Sequence, residues 1–199
     1  MPAAEGAAFQ VLLDARKQRL KTALGDSDAG VRSAAAEALE RLESALGLEQ
    51  VAALLKQGNR GQQVRAILAL ERINSDRVFA LLLEVLKHPD ADLRAAAVQV
   101  LGRKHHPKTL PQLVKHLRDP HPAIRVHTAE ALSRFSDPRL VPYLAATLAD
   151  SDEELVKSCL RALGAIGDPA AEPHLLGLLD SPQPELRREA ALALGQLRV

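Results

Sequence analysis

The stretch DSDAGVRSAAAEALERL, Asp26 to Leu42, decides how the rest of the chain is read, because five further versions of it follow at a fixed stride of 31 residues. Stepping from Leu39 at that stride reaches Leu70, Leu101, Leu132, Leu163 and Leu194, with Ala38, Ala69, Val100, Ala131, Ala162 and Ala193 just before them. A second row runs through Leu24, Leu55, Leu86, Leu117, Leu148 and Leu179, and a third through Leu20, Val51, Leu82, Leu113, Leu144 and Leu175. The rows keep register across six units without an insertion or deletion. Self-similarity at a period of about 20 to 50 residues marks a solenoid, in which each unit buries its apolar face only against its neighbours. The stride therefore predicts one all-α domain over 1–199, with units near 5–43, 44–74, 75–105, 106–136, 137–167 and 168–199.

Each unit reads as two helices, punctuated by aspartate and proline. Asp137 can cap a helix opening with Pro138, while Pro142 removes an N–H from its first turn and predicts a bend there. The pair recurs at Pro107 and Pro111 and at Pro169 and Pro173, so the later first helices should bend and the earlier ones run straighter. The second helix is expected after Asp26, Gln57, His88, Asp119, Asp150 or Ser181. Its apolar face holds Val31, Ala35, Ala36, Ala38, Leu39 and Leu42, and its other side Gly30, Ser33, Ala34, Glu37 and Arg41. Small residues at Ala35, Ala66, Ala97, Thr128, Cys159 and Ala190 should let second helices approach closely, which places Cys159 in the core.

The unit resembles HEAT-like repeats of the phycobilisome-lyase type, whose pattern is G-D-P-x-x-x-P-x-L followed by L-x-D-x-x-x-x-V-R-x-x-A-x-x-A-L-G-x-I. The match is closest from Asp137 to Gly167 and from Gly167 to Leu197. That resemblance implies a right-handed α-α superhelix, a HEAT-like solenoid of six helical hairpins with the second helices lining its inner surface. It also implies that Asp26 with Arg32, and Asp119 with Arg125, support packing between units. The chain departs from the pattern at Gln62, Gln63, Lys104 and Val156.

Charged residues make up 26% of the chain with a net charge of +1, and aromatics only 2%, which disfavours nucleic acid as a partner. One cysteine excludes an internal disulfide and fits a reducing, cytoplasmic setting. Neither an export signal nor a membrane span is read. There is no phosphate loop, paired-cysteine motif or HExxH, so no catalytic residue, cofactor or metal is expected. His105, His106, His116, His121 and His127 cluster in the chain but occupy turns and helix ends that should not converge. Phe9, Leu12 and Leu13 could cover the first unit's open side, whereas AALALGQLRV in the last unit is apolar enough for an end-to-end contact.

One arginine per unit stands near the end of the second helix in Arg41, Arg72, Arg103 and Arg134. Cations there are favoured by the macrodipole, and Glu37 and Glu130 sit four residues before Arg41 and Arg134. Arg72 and Arg103 have Leu68 and Gln99 at that spacing instead, which leaves them available. The expected contact surface is Arg65, Leu68, Arg72, Gln99 and Arg103, taking an acidic protein partner. The expected function is a non-catalytic protein-binding scaffold using the inner face. A bilin-lyase-like subunit and a nucleic-acid-binding protein are the alternatives.

Overall fold

The computed structural model describes residues 2–198, with side chains from Gln10 onward. Among the described residues are eleven α-helices and no strand: α1 (Pro2–Ala23), α2 (Ala29–Gln57), α3 (Arg60–Ala69), α4 (Arg77–Val85), α5 (Ala91–Lys104), α6 (Leu110–Lys115), α7 (Pro122–Ser133), α8 (Val141–Thr147), α9 (Glu153–Ile166), α10 (Glu172–Leu176) and α11 (Pro184–Leu194). They stack as a helical repeat solenoid, in which α3, α5, α7, α9 and α11 pack each on the next. None is long and apolar enough to cross a membrane.

The expected bend in the later first helices takes a definite form. The 3₁₀ turns Pro107–Thr109, Pro138–Leu140 and Pro169–Ala171 precede α6, α8 and α10, and the second proline of each pair falls in the helix that follows. Asp137 and Asp168 accept the N–H of Arg139 and Ala170 at 3.0 and 2.9 Å, fixing those turns. The proline-free α4 opens with the equivalent bonds, the Val78 and Phe79 N–H groups donating to the Ser75 and Asp76 carbonyls at 3.1 Å, and continues as a longer helix of 9 residues.

The second helices start two residues later than expected. Their N-caps are Asp28, Asn59, Asp90, His121, Asp152 and Gln183. Both rows hold acceptors, and the earlier one serves the connecting turn: Asp26, His88, Asp119, Asp150 and Ser181 each accept the N–H two residues on. Asn59 forms a reciprocal capping box with Gln62, so one departure from the repeat pattern acts as a helix start.

A larger difference lies between the first two units, where separate helices were expected. α2 runs unbroken for 29 residues, joining the second helix of one unit to the first helix of the next. The joining segment ESALGLEQ, 43–50, has no proline or aspartate cap and is rich in good helix formers. Gly47 makes room within it, since a Cβ there would stand 2.9 Å from Cδ1 of Ile73. At the same end Leu13 is buried, but Leu12 is 70% exposed and covers nothing. It lies about 100° around the helix from Leu13, which faces α2. The side chain of Phe9 lies outside the described residues.

The predicted rows line the core, most completely in the middle units, while Leu24 at the start of the second row is exposed. Leu70, Leu101, Leu132 and Leu163 are fully buried, as are Leu82, Leu113, Leu144 and Leu175. Ala35, Ala66, Ala97, Thr128, Cys159 and Ala190 are buried without exception, forming the small-residue column between second helices. The approach is tightest at Gly102, where an added Cβ would meet the Ala131 Cβ at 2.6 Å and its Cα at 2.9 Å. Gly102→Ala must push α5 and α7 apart, so it is expected to lower stability by about 1–3 kcal/mol in urea unfolding.

Candidate protein-binding surface

Two sets of charged side chains border the second helices, and they do different work. Along the edge formed by the connecting turns, arginines tie each unit to the next. Arg60 pairs with Asp90 and Asp92 of the following unit. Arg94 grips Asp119 through two bonds of 2.9 Å and donates its remaining nitrogen to the His88 and Pro89 carbonyls at 2.8 Å. Arg125 reaches Asp152 at 3.0 Å and the Asp119 carbonyl at 3.4 Å.

The implied pairing of Asp and Arg within a unit is therefore only half of the arrangement. Within a unit Arg32, Arg125 and Arg187 hold backbone carbonyls, among them those of Asp26 and Asp119, whereas the Asp119 carboxylate answers Arg94 of the unit before. Gln63 keeps a reduced version by donating to the Leu55 carbonyl at 2.8 Å, and Val156 is simply buried. Lys104, the other departure, donates to the Ile73 carbonyl of the preceding unit at 2.8 Å. Burial pushes its ammonium below the usual lysine range, partly offset by Glu71.

The second set is the arginine column. Arg41 pairs with Glu37, as its spacing suggests. Arg134 does not use Glu130, which lies 3.2 Å from His127 instead. Arg103, expected to be available, is held by Glu71 of the preceding unit at 2.6 Å. Glu71 occupies the same place in its unit as Gly102 does in the next, so it reaches the neighbouring helix where Arg103 begins. Arg65 and Arg72 are exposed and have no acidic partner among the described residues. Leu68 and Gln99 are half-buried, and Leu68 packs against the core. Arg65, Leu68 and Arg72 follow one helical stripe, seven residues from end to end being close to two turns.

Other candidates resolve into packing. The Cys159 thiol is fully buried and its pKa is pushed up to about 12 by desolvation, then by Asp150. His106 lies against the Phe79 ring at 4.2 Å, and His105 meets the edge of Phe135 at 5.6 Å. His116 sits 3.2 Å from Asp119. These histidines thus have separate neighbours, and among the described residues no cluster of metal-binding groups forms.

Comparison with known proteins follows this architecture. The family model of HEAT repeats matches residues 79–159 and 148–199, more than half of the chain. No curated protein matches the sequence. The complex of CpcE and CpcF of phycocyanin lyase from Nostoc sp. is similar with a TM-score of 0.65 at 24% identity over 75% of this chain, which spans only 64% of that one. YibA of Escherichia coli gives a TM-score of 0.61 at 20% identity, over 93% of this chain and 73% of its own. A designed armadillo repeat protein in complex with the peptide (KR)4 gives 0.58 at 16% identity, over 90% and 98%. At these identities the structural likeness is one of fold.

Two measurements check the packing assignments. Burial alone would raise the Asp119 pKa, yet bonds from Arg94, the His121 N–H and His116 outweigh it and hold the carboxyl below its usual value. A carboxyl so depressed adds stability that is present above its unfolded pKa and lost as the pH falls through its folded one. Asp119→Asn should cost about 3–5 kcal/mol at neutral pH by leaving Arg94 unpaired, and the gap to the wild type should close below about pH 4 in chemical denaturation. Cys159 should stay unreactive toward a thiol-specific disulfide reagent until the chain is unfolded.

Proposed function

This chain belongs to the HEAT-repeat family, and from that premise we propose that it is a non-catalytic cytoplasmic scaffold holding a protein partner along the exposed ridges of its second helices. Charge pairing on those ridges carries the proposal. Glu37 with Arg41, Glu71 with Arg103, Glu130 with His127, and Arg161 with Glu154 and Glu189 are matched locally. Arg65, Arg72 and Arg134 have no acidic partner among the described residues. Guanidinium groups left over on a rigid framework suit carboxylates, which they take in bidentate fashion. The partner therefore presents acidic groups.

The contact centres on Arg65, Leu68, Arg72, Gln99 and Arg103. Arg65 and Arg72 supply the attraction, while Leu68 and Gln99 offer their outer edges. Arg103 joins when a partner carboxylate displaces Glu71, an exchange that costs little because an exposed pair is worth about 0–1 kcal/mol. The designed armadillo relative holds a basic peptide. Here the leftover charges are arginines, so a segment bound the same way would carry the opposite sign. Likeness to the phycocyanin lyase complex favours a second reading, a bilin-lyase-like subunit. It requires a spectral change when bilin is added, and an unchanged spectrum rejects it.

Charge reversal tests the scaffold reading. Arg65→Glu with Arg72→Glu should abolish the low-salt capture of partners from native lysate while leaving Tm within about 2 °C, as expected of surface substitutions. Undiminished capture would refute this placement.

A further inference from the structure

The layer of first helices, away from the arginine column, carries a groove of its own. Two cavities of 690 and 380 Å³ share Val114, Lys115 and Tyr143 and so form one channel between the first helices of the fourth and fifth units. It runs from the turns at Pro107 and Arg139 to Arg118 and Asp150, between α6 with its closing 3₁₀ turn His116–Arg118 on one side and α8 on the other.

The channel opens where the repeat leaves its own pattern. Rows that hold Glu84 and Lys115, and Lys87 and Arg118, in the third and fourth units continue as Ala146 and Ala149 in the fifth. Two long charged side chains are thereby replaced by methyl groups, which lowers the α8 wall. Beneath it the second helices α7 and α9 pack directly on one another, with Thr128 and Cys159 fully buried, so the room appears in the outer layer.

The chemistry of the walls is one-sided. On α8 stands Tyr143, the chain's one tyrosine, 53% exposed. Opposite are Lys115, bonded only to the neutral Gln112 amide at 3.0 Å, and Arg118, without an ion pair among the described residues. Arg139 at one end is neutralised by Asp137 at 2.6 Å, and Asp150 closes the other. An apolar channel with one exposed ring and two uncompensated cations fits an extended, acidic chain bearing an apolar side chain. The wall over residues 107–118, half 3₁₀ at ~2.0 Å and half α-helix at ~1.5 Å per residue, is about 21 Å long, which matches roughly six residues of extended chain at ~3.3 Å each. A nucleic-acid strand fits less well, because it would find a single ring, Tyr143, on which to stack its bases.

We infer that this groove is a second docking site, for a short acidic segment of another protein that seats an apolar residue on Tyr143 and carboxylates on Lys115 and Arg118. It is independent of the second-helix surface. Selection of a random peptide library on the whole chain tests it, with counter-selection on the triple variant Tyr143→Ser, Lys115→Glu and Arg118→Glu. Circular-dichroism melting establishes that this variant and Tyr143→Ser alone are folded.

Enriched peptides should be acidic with an apolar residue, should weaken by about tenfold or more on the triple variant, and should bind Arg65→Glu/Arg72→Glu undiminished. Because the chain has one tyrosine and no tryptophan, an enriched peptide free of aromatics should change Tyr143 emission saturably. No enrichment, neutral or basic winners, or equal binding to both single and triple variants would overturn the proposal. Saturable binding of a single-stranded oligonucleotide through the same three residues would also overturn it, by assigning the groove to another class of partner.

Discussion

Little more than a methyl group separates each second helix from the next, and the rest of the structure is arranged around that closeness. Ala35, Ala66, Ala97, Thr128, Cys159 and Ala190 line the contact, and Gly102 and Gly164 admit Ala131 and Ala193 where even a Cβ would collide. Helices meeting through such residues sit near the short end of the usual separation, about 8 Å. The first helices, shortened by their leading prolines, do not approach one another in the same way. One layer of the solenoid is thus tightly spaced and the other opens into channels. Both proposed docking surfaces derive from this difference: regular ridges on the close layer, a cleft on the loose one.

Electrostatics then fixes how the units sit along the connecting-turn edge. Arg60, Arg94 and Arg125 each reach forward to an aspartate of the next unit, and Arg94 also satisfies two carbonyls of the connecting turn before its helix. The buried one of these, Arg94 with Asp119, is a weak source of net stability but a strong constraint on geometry, since each partner depends on the other. The ladder stops at Val156. Between the last two units Arg161 to Glu189 and the Arg198 N–H to the Gly167 carbonyl take over.

Much of this is legible in the primary structure, for a reason specific to repeats. The stride places Leu70, Leu101, Leu132 and Leu163 in equivalent surroundings, so one correct reading of a unit assigns them all, and Cys159 inherits its burial from its row. Interactions that cross between units are harder to see. Spacing within one helix pairs Arg134 with Glu130 and leaves Arg103 alone, but Glu71, one stride and one residue away, takes Arg103, while Glu130 is taken by His127 of its own helix. Projecting the rows side by side would have revealed the first of these. The continuity of α2 was hidden differently: periodicity suggests a boundary wherever a unit ends, yet a helix stops only where caps or prolines stop it, and 43–50 has neither.

That continuous α2 has a mechanical consequence. A solenoid pulled along its axis extends like a spring, each connecting turn acting as a compliant joint between stiff coils. Across the first two units the joint is replaced by a rod of 29 residues whose backbone bonds are all internal. Elongation there would require breaking the rod itself, so strain is diverted into the later coils, where aspartate-capped turns and proline-started helices yield first. Stiffness is thus unevenly distributed along the stack, a continuous rod spanning the first two units and jointed hairpins the others.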